Sequence, residues 1–321
     1  MSGDDSGRTV SVIIPARNAE GYILDALRSV RAQEYAPLEI LLVDDGSTDG
    51  TAALVEREMP EVKIVRQANT GVAGARNTGL KHAAGDFICF LDADDGWFPG
   101  KLAAQLSYLE QHPDVGAVSH AWLDWRPDPH GNYPPLAWQA PAAPPRADPA
   151  QSGWIYPRLL LEPVVQTSTM MMRREIVEMT GFFRTDLTTG EDYDYWLRLS
   201  RLSRIDKLSA PYSFYRRGSP ESLTGRILPV NHGYEVIRAA IGRWGLAAPD
   251  GAALPRKLIE HRLGELAFDF AYGHFHRGSA KLARQASWLA FRHDPRRWRA
   301  LAYILLSLFR VGGRKTGGAE S

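Results

Sequence analysis

A chain of 321 residues, 44% hydrophobic and 23% charged, has room for one large domain with an appendage or for two domains. Its formal net charge of +1 excludes a global field steering it to nucleic acid or to anionic lipid. The single cysteine, Cys89, excludes an intrachain disulfide; inside an apolar run it reads as a small buried hydrophobe, which fits a reducing cytosol.

The opening MSGDDSGRTV lacks the positive head and apolar core of a signal peptide, so a cytoplasmic chain is expected. VSVII (10–14) reads as a buried strand, with Ile23, Leu27 and Val30 following at helical spacing. EILLV (39–43) is a second strand, DGSTDG a turn with cap residues, and 51–58 a helix. VKIV (62–65) is a third strand, 72–83 a helix, and Phe87 to Leu91 a fourth strand. Pro99 suits a first helical turn with 101–110 behind it, and VGAVSH (115–120) is a fifth strand. Alternating helices and continuous apolar strands imply a parallel sheet covered on both faces.

Residues 126–153, rich in Pro, Ala and polar side chains, read as a long surface loop in which Tyr133 and Trp138 could touch a substrate. Residues 164–173 resume strand character, 192–201 form a short helix, and YSFYRR (212–217) alternates like a strand. From Val230 the pattern is helical, over about 230–243, 255–276, 279–291 and 295–310. His261, His274 and His276 there read as surface or core histidines. The run ALAYILLSLF (300–309) is too short to cross a bilayer and is flanked by Arg296, Arg297, Arg299, Arg310, Arg314 and Lys315. It reads as a packing helix with a basic edge, the alternative being a helix in peripheral contact with a membrane.

Ligands of an open parallel sheet bind outside the carboxyl ends of its strands. PARN, DDGS and DADD fall at three such ends. In FICFLDADDGW (87–97) an apolar strand runs into Asp92, Asp94 and Asp95, and like charges about 4 Å apart repel by roughly 4 kcal/mol at an effective dielectric of about 20. A D-x-D pair suits a hard cation, Mg²⁺ or Mn²⁺, which would offset that repulsion and admit a diphosphate. Solvated turn and cap residues are the competing reading. No G-x-G-x-x-G follows the first strand and no Walker lysine appears, which disfavours a dinucleotide or P-loop site.

SVIIPARN, LLVDDGSTDGT, NTGVAGARNTGL, GDFICFLDADD and GEDYDYWLRL occur in this order. Over Ser11 to about Thr224 the series resembles glycosyltransferase family 2, enzymes of the GT-A fold that use nucleotide-diphosphate sugars. The resemblance implies an α/β fold, a Rossmann-like mixed, mainly parallel sheet flanked by helices, with a C-terminal helical extension. A GT-A domain would span 9–225, with a nucleotide half over 9–120, the proline-rich loop 126–153, an acceptor half over 154–225, and helices over 226–321. It places the nucleotide sugar against Pro15, Arg17, Asn18, Asp44, Asp45, Arg76, Asp92 and Ala93. Asp44 would read the base, and Arg76 would pair with phosphate or orient Asp44. Asp94 is the more direct ligand of Mn²⁺ or Mg²⁺, with Asp92 beside it, and Asp95 either holds the loop or binds a metal-bound water. Asp192 is the catalytic base and Glu191 holds the acceptor or positions Asp192. Trp154, Tyr156, Trp196 and Trp244 are candidates for the sugar site, Trp196 foremost.

Two departures stand out: Arg17 occupies a place often aromatic in the family, and the segment around Arg217 and Gly218 has no histidine to act as a third metal ligand. Arg243-Trp244 lacks the glutamine of the Gln-x-x-Arg-Trp motif of processive synthases. The expected activity is therefore inverting, non-processive transfer of one sugar, from a UDP-sugar by default, to a glycan, lipid-linked or protein acceptor in surface glycan, lipopolysaccharide or glycoconjugate assembly. A nucleotidyltransferase and a non-catalytic binding protein on the same fold are the alternatives.

Overall fold

The apolar run VSVIIPA becomes β1 (Val10–Ala16), buried along its whole length, because both faces of a parallel strand are covered. Chain order continues with α1 (Ile23–Arg31), β2 (Leu38–Asp45), α2 (Thr51–Glu58), β3 (Lys63–Gln67), α3 (Gly71–His82) and β4 (Phe87–Phe90). The computed structural model describes residues 7–36, 38–141, 145–218 and 227–309. β1 pairs in parallel with β2 and with β4, and β2 with β3. α3 lies so close to β1 that a Cβ on Gly79 would fall 2.2 Å from Ile13 Cγ2, so only glycine fits at this crossing.

The rest of the sheet is less regular. β5 (Gly96–Trp97), α4 (Lys101–Gln111) and β6 (Val115–Trp125) precede the proline-rich stretch. After it come α5 (Tyr156–Leu161), β7 (Met171–Arg173), α6 (Arg174–Thr180), α7 (Glu191–Leu199) and β8 (Arg204–Arg216). The strand order is β3-β2-β1-β4-β7-β6-β8-β5. β7 runs antiparallel to both neighbours, β5 runs antiparallel to β8, and β6–β8 is parallel. The expected strand over 164–173 shrinks to its last three residues, preceded by a 3-10 turn at Thr167–Thr169. α5 and α6 are too short to show a helical period in sequence, and β6 outruns its expected end at residue 120. Within residues 126–153 only a 3-10 turn, Pro149–Gln151, and isolated bridges at Ala147 and Gly153 are regular, with 142–144 outside the described residues.

Contacts divide the chain into two units, Met1–Ser222 with Ala248–Asp250, and Leu223–Ala247 with Gly251–Ser321. The expected boundary at residue 225 and residues 219–224 before it lie outside the described residues. The second unit contains α8 (His232–Trp244), α9 (Arg256–Arg277), α10 (Ala280–His293) and α11 (Trp298–Phe309). Asn231 and Ser279 cap α8 and α10 by accepting the N–H of Tyr234 and Leu282. α9 and α10 pack through small side chains, among them Ala267, Ala271, Ala283 and Ala290, all fully buried. His274 is a core residue bonded to the Leu228 carbonyl, and His261 an exposed one facing Asp294. No helix among the described residues is long and apolar enough to cross a membrane.

Candidate active site

Three adjacent parallel strands end at one edge. Ala16 stands opposite Asp44 across β1 and β2, and the Leu91 N–H donates to the Ile13 carbonyl at 3.0 Å, carrying the β1–β4 ladder up to Asp92. Pro15 is buried inside the ladder and Arg17 is exposed just past it. Asn18 takes a left-handed backbone, φ 50°, which asparagine tolerates better than most residues. Its N–H donates to Ser47 Oγ at 3.1 Å and its Oδ1 accepts the Thr48 N–H at 2.8 Å, so it clasps the loops after β1 and β2 together.

The two acids of DDGS behave differently. Asp44 Oδ1 accepts the Ser47 N–H at 3.0 Å. Asp45 accepts from Gln67 Nε2 at 2.7 Å, Thr70 N at 2.8 Å and Gly71 N at 2.9 Å. Both its oxygens are thus engaged around the start of α3, where open N–H groups and the helix dipole favour a carboxylate. Asp45 anchors α3, although the family resemblance places it against the nucleotide.

From α3, Arg76 reaches two carboxylates at once: Nη2 lies 2.8 Å from Asp92 Oδ1 and Nη1 2.8 Å from Glu191 Oε1. Its guanidinium therefore serves these acids and not Asp44, as sequence reasoning had allowed. Burial opposes the charge on Arg76, but the fields of Asp92, Glu191 and Asp192 outweigh it and hold the group protonated far beyond the physiological range. Next to it, Asn77 donates to and accepts from the backbone of Phe183 at 2.9 and 2.8 Å. The Arg-Asn pair of GARNTG thus clips α3 to the end of β4, to Phe183 and to the start of α7.

Asp95 is almost fully buried. Oδ2 accepts from Gln166 Nε2 at 2.7 Å and Ser168 Oγ at 2.6 Å, and Oδ1 from the Arg216 N–H at 3.1 Å. Burial first, and then Asp92 and Asp94, push its carboxyl well above the usual range. Both its oxygens are thus engaged by the turn before β7 and the end of β8. Ala93 and Asp94 are half-buried, and the Asp94 carbonyl accepts from Arg216 Nε at 2.9 Å.

On the acceptor side Gly190, φ 78°, turns the chain into α7 in a conformation costly for other residues. Glu191 is then buried against Arg76. Burial raises its carboxyl affinity for a proton, Arg76 works against this, and Asp192 adds to it. Asp192 Oδ1 accepts the Tyr193 N–H at 2.7 Å and Oδ2 faces the Thr167 hydroxyl at 3.3 Å. Trp196, expected to face the acceptor, is 1% exposed and packs edge-on against Phe183 and Tyr195. Tyr156 is likewise in the core, stacked under the Arg201 guanidinium.

Sequence reasoning did not single out Gln166, Thr167, Ser168 or Arg216. The first three form one turn: Gln166 and Ser168 hold Asp95, Ser168 Oγ also accepts the Asp92 N–H at 3.1 Å, and Thr167 meets Asp192. Only the antiparallel register, Cys89 opposite Met171, delivers that turn to the end of β4. Arg216 sits among the rings of Trp125, Tyr22 and Tyr133 at 4.4, 5.0 and 5.0 Å, an association between distant segments with no local signal. No group of three or more His, Cys, Asp or Glu side chains converges as a metal cage among the described residues. Asp92 and Asp94 still offer hard oxygen donors of the kind that Mn²⁺ or Mg²⁺ takes together with substrate phosphate and water.

A mixed sheet flanked by helices, with acids gathered where its central parallel strands end, defines the class of fold: GT-A. The chain belongs to glycosyl transferase family 2, whose profile matches residues 11–178. It is 28% identical over 213 residues to an uncharacterized glycosyltransferase of Rickettsia conorii, a match covering 64% of this chain and 32% of that protein. The chain thus spans about a third of that relative's length. Over 102 residues it is 44% identical to the Escherichia coli UDP-Glc:alpha-D-GlcNAc-diphosphoundecaprenol beta-1,3-glucosyltransferase WfgD, covering 31% of this chain and 40% of that one. Its fold is similar to Staphylococcus aureus TarS 1–349 in complex with UDP, with TM-score 0.61, 21% identity, and coverage of 93% and 88% of the two chains. The mannosyltransferase PcManGT of Pyrobaculum calidifontis, in complex with GDP-Man and Mn²⁺, is similar at TM-score 0.55 and 23% identity, with coverage of 96% and 88%.

Proposed function

We propose that the crevice transfers one sugar from a nucleotide-diphosphate sugar, a UDP-sugar by default, to an acceptor hydroxyl with inversion at the anomeric carbon. The observation that carries this reading is the Arg76 bridge, which ties the D-x-D acid Asp92 to Glu191, next to Asp192, through one guanidinium. Donor-side and acceptor-side carboxylates therefore share one crevice, as a single displacement requires.

Asp44 accepts an N–H from the base, with Arg17 and Asn18 at the same strand end. Asp94 with Asp92 would hold Mn²⁺ or Mg²⁺, which when bound supplies positive charge against the leaving diphosphate. Asp192 is the base. The acceptor oxygen forms its bond to the anomeric carbon, its proton passes to the Asp192 carboxylate, and the bond to the diphosphate breaks on the opposite face. Thr167 and the Tyr193 N–H aim that carboxylate, and Glu191, fixed by Arg76, braces the first turn of α7. A lipid-linked acceptor is favoured among the glycan, lipid-linked and protein possibilities, because the Escherichia coli relative is named for a diphosphoundecaprenol-linked one. The setting is surface glycan, lipopolysaccharide or glycoconjugate assembly, by a non-processive transferase over residues 9–225.

Calorimetric titration with UDP and Mn²⁺ tests the donor site, and Asp192→Asn tests the base. The variant should bind UDP with an affinity close to the parent's and lose transfer by about 100-fold or more. Loss of UDP binding in Asp192→Asn would remove the base assignment, and equal Mn²⁺-dependent binding by Asp94→Ala would remove the metal assignment.

A further inference from the structure

Helix α11 packs with one face and leaves another uncovered. Inward it puts Ala300, fully buried, Ser307, 2% exposed, and the Tyr303 ring, edge-on to Phe268 and Phe275 of α9. Four bulky residues point out: Trp298 is 68% exposed, Leu301 39%, Leu305 60% and Leu308 56%. These four recur at i, i+3, i+7 and i+10, so they form one apolar stripe along one face. A contiguous stripe of this kind marks an interaction site, unlike singly scattered leucines.

Charge frames the stripe. Residues 280–309 contain Lys281, Arg284, Arg292, Arg296, Arg297 and Arg299 against the single acid Asp294, a local excess of +5 in a chain whose net charge is +1. At the head of α11, Arg296, Arg297, Trp298 and Arg299 line a cavity of about 200 Å³ together with Phe268. Arg297 is turned toward Asp294 and Glu265, at 3.5 and 3.6 Å, whereas Arg296 and Arg299 are exposed.

We propose that α11 docks this chain on an anionic phospholipid surface, the stripe lying in the acyl boundary and Arg296 and Arg299 meeting lipid phosphates. Twelve helical residues extend about 18 Å, short of the ~30 Å hydrocarbon core, so the helix lies along the surface. Apolar stripe and basic flanks act together in this mode, since burial supplies the depth and cations the preference for anionic lipid. A second copy of the chain is a poor occupant, because two faces of the same positive sign would meet. The inference stands apart from the assignment of donor and base.

The test uses the full chain, sedimented with vesicles of phosphatidylcholine alone or with about one-third phosphatidylglycerol. The parent should bind the anionic vesicles, release with added salt, and bind the neutral ones weakly. Leu301→Glu/Leu305→Glu should weaken binding by about tenfold or more, and Arg296→Glu/Arg299→Glu should remove the anionic preference, both with thermal melts close to the parent's. The inference is overturned by absence of the parent from the vesicle pellet, or by either variant binding as the parent does. It is equally overturned if ultracentrifugation shows a dimer of the parent that the leucine variant abolishes, because the stripe would then belong to a second copy.

Discussion

Arg76 and Lys101 are both buried cations set against the stretch 87–97, 3% and 0% exposed, and they are held in opposite ways. Arg76 meets two carboxylates at 2.8 Å each. Lys101 meets the Cys89 thiol at 3.5 Å and lies 3.6 Å from the centre of the Trp97 ring. Burial disfavours the charge on each. Carboxylates reverse that effect at Arg76, whereas at Lys101 the thiol offsets only part of it and the ammonium is pulled down to about 8. The difference separates a cation that a negatively charged site requires from one that fills space behind it. In DADD, Asp92 meets a cation and Asp95 three neutral donors, so much of the repulsion evident in the sequence is relieved by the chain itself.

Breaking the first arrangement should have the largest effect. Arg76→Met leaves Glu191 buried, and Asp92 half-buried, without their counterion; urea unfolding should show a loss of about 3–5 kcal/mol, together with loss of transfer. Arg76→Lys should recover part of the stability, since an ammonium cannot fork to both acids as a guanidinium does. A stable, active Arg76→Met protein would erase the contrast.

Next is the neutral solution to the same charge problem. Ser168→Ala removes the hydroxyl bonded to Asp95 and to the Asp92 N–H, and should cost about 1–3 kcal/mol in denaturant melts. If Ser168 sets the position of the acids, kcat should fall more than KM for the donor rises.

The smallest effect, of opposite sign, is expected at Lys101. Lys101→Met should be neutral to about 2 kcal/mol more stable at neutral pH, since a poorly paired buried charge is exchanged for an apolar chain of similar length. Its folded-state affinity for a proton, about 8, lies below the ordinary lysine value of 10.5, so between these the unfolded chain binds more protons and stability rises with pH. From about pH 8 to 9, below the range into which burial pushes the Cys89 thiol, the parent should gain about 1 kcal/mol relative to the variant. A parent curve parallel to that of Lys101→Met would mean that the ammonium is better paired than its thiol and indole neighbours suggest.

Much of the first 111 residues was legible in the chain. β1 to β4 and α1 to α4 begin and end within a few residues of their expected limits, because long buried strands and amphipathic helices carry their periods openly. The acids of DDGS, DADD and GED could be located as strand-end and helix-start residues. Which of them would be internally paired was not legible. Asp45 and Asp95 take donors from Thr70, Gly71, Gln166 and Ser168, which belong to other elements and carry no local signal. β7 was blurred because three residues carry no period, and Trp196 was misplaced because standing one helical turn after the acidic pair does not fix whether a large ring faces an acceptor or the core. At α11 the hydrophobic pattern identified a helix, but composition cannot say whether an apolar stripe faces protein or the outside.

The reversed direction of β7 has a consequence for how the crevice is furnished. A parallel strand beside β4 would finish at the crevice and offer only the connection that leaves it. An antiparallel strand starts there, so the chain must cross the mouth before the strand begins, and the crossing is the turn of Gln166, Thr167 and Ser168. One change of strand direction thus inserts a crossbeam between Asp95 and Asp192. Its span is set by hydrogen-bond register, a fixed spacing that does not depend on the length of the proline-rich stretch before it.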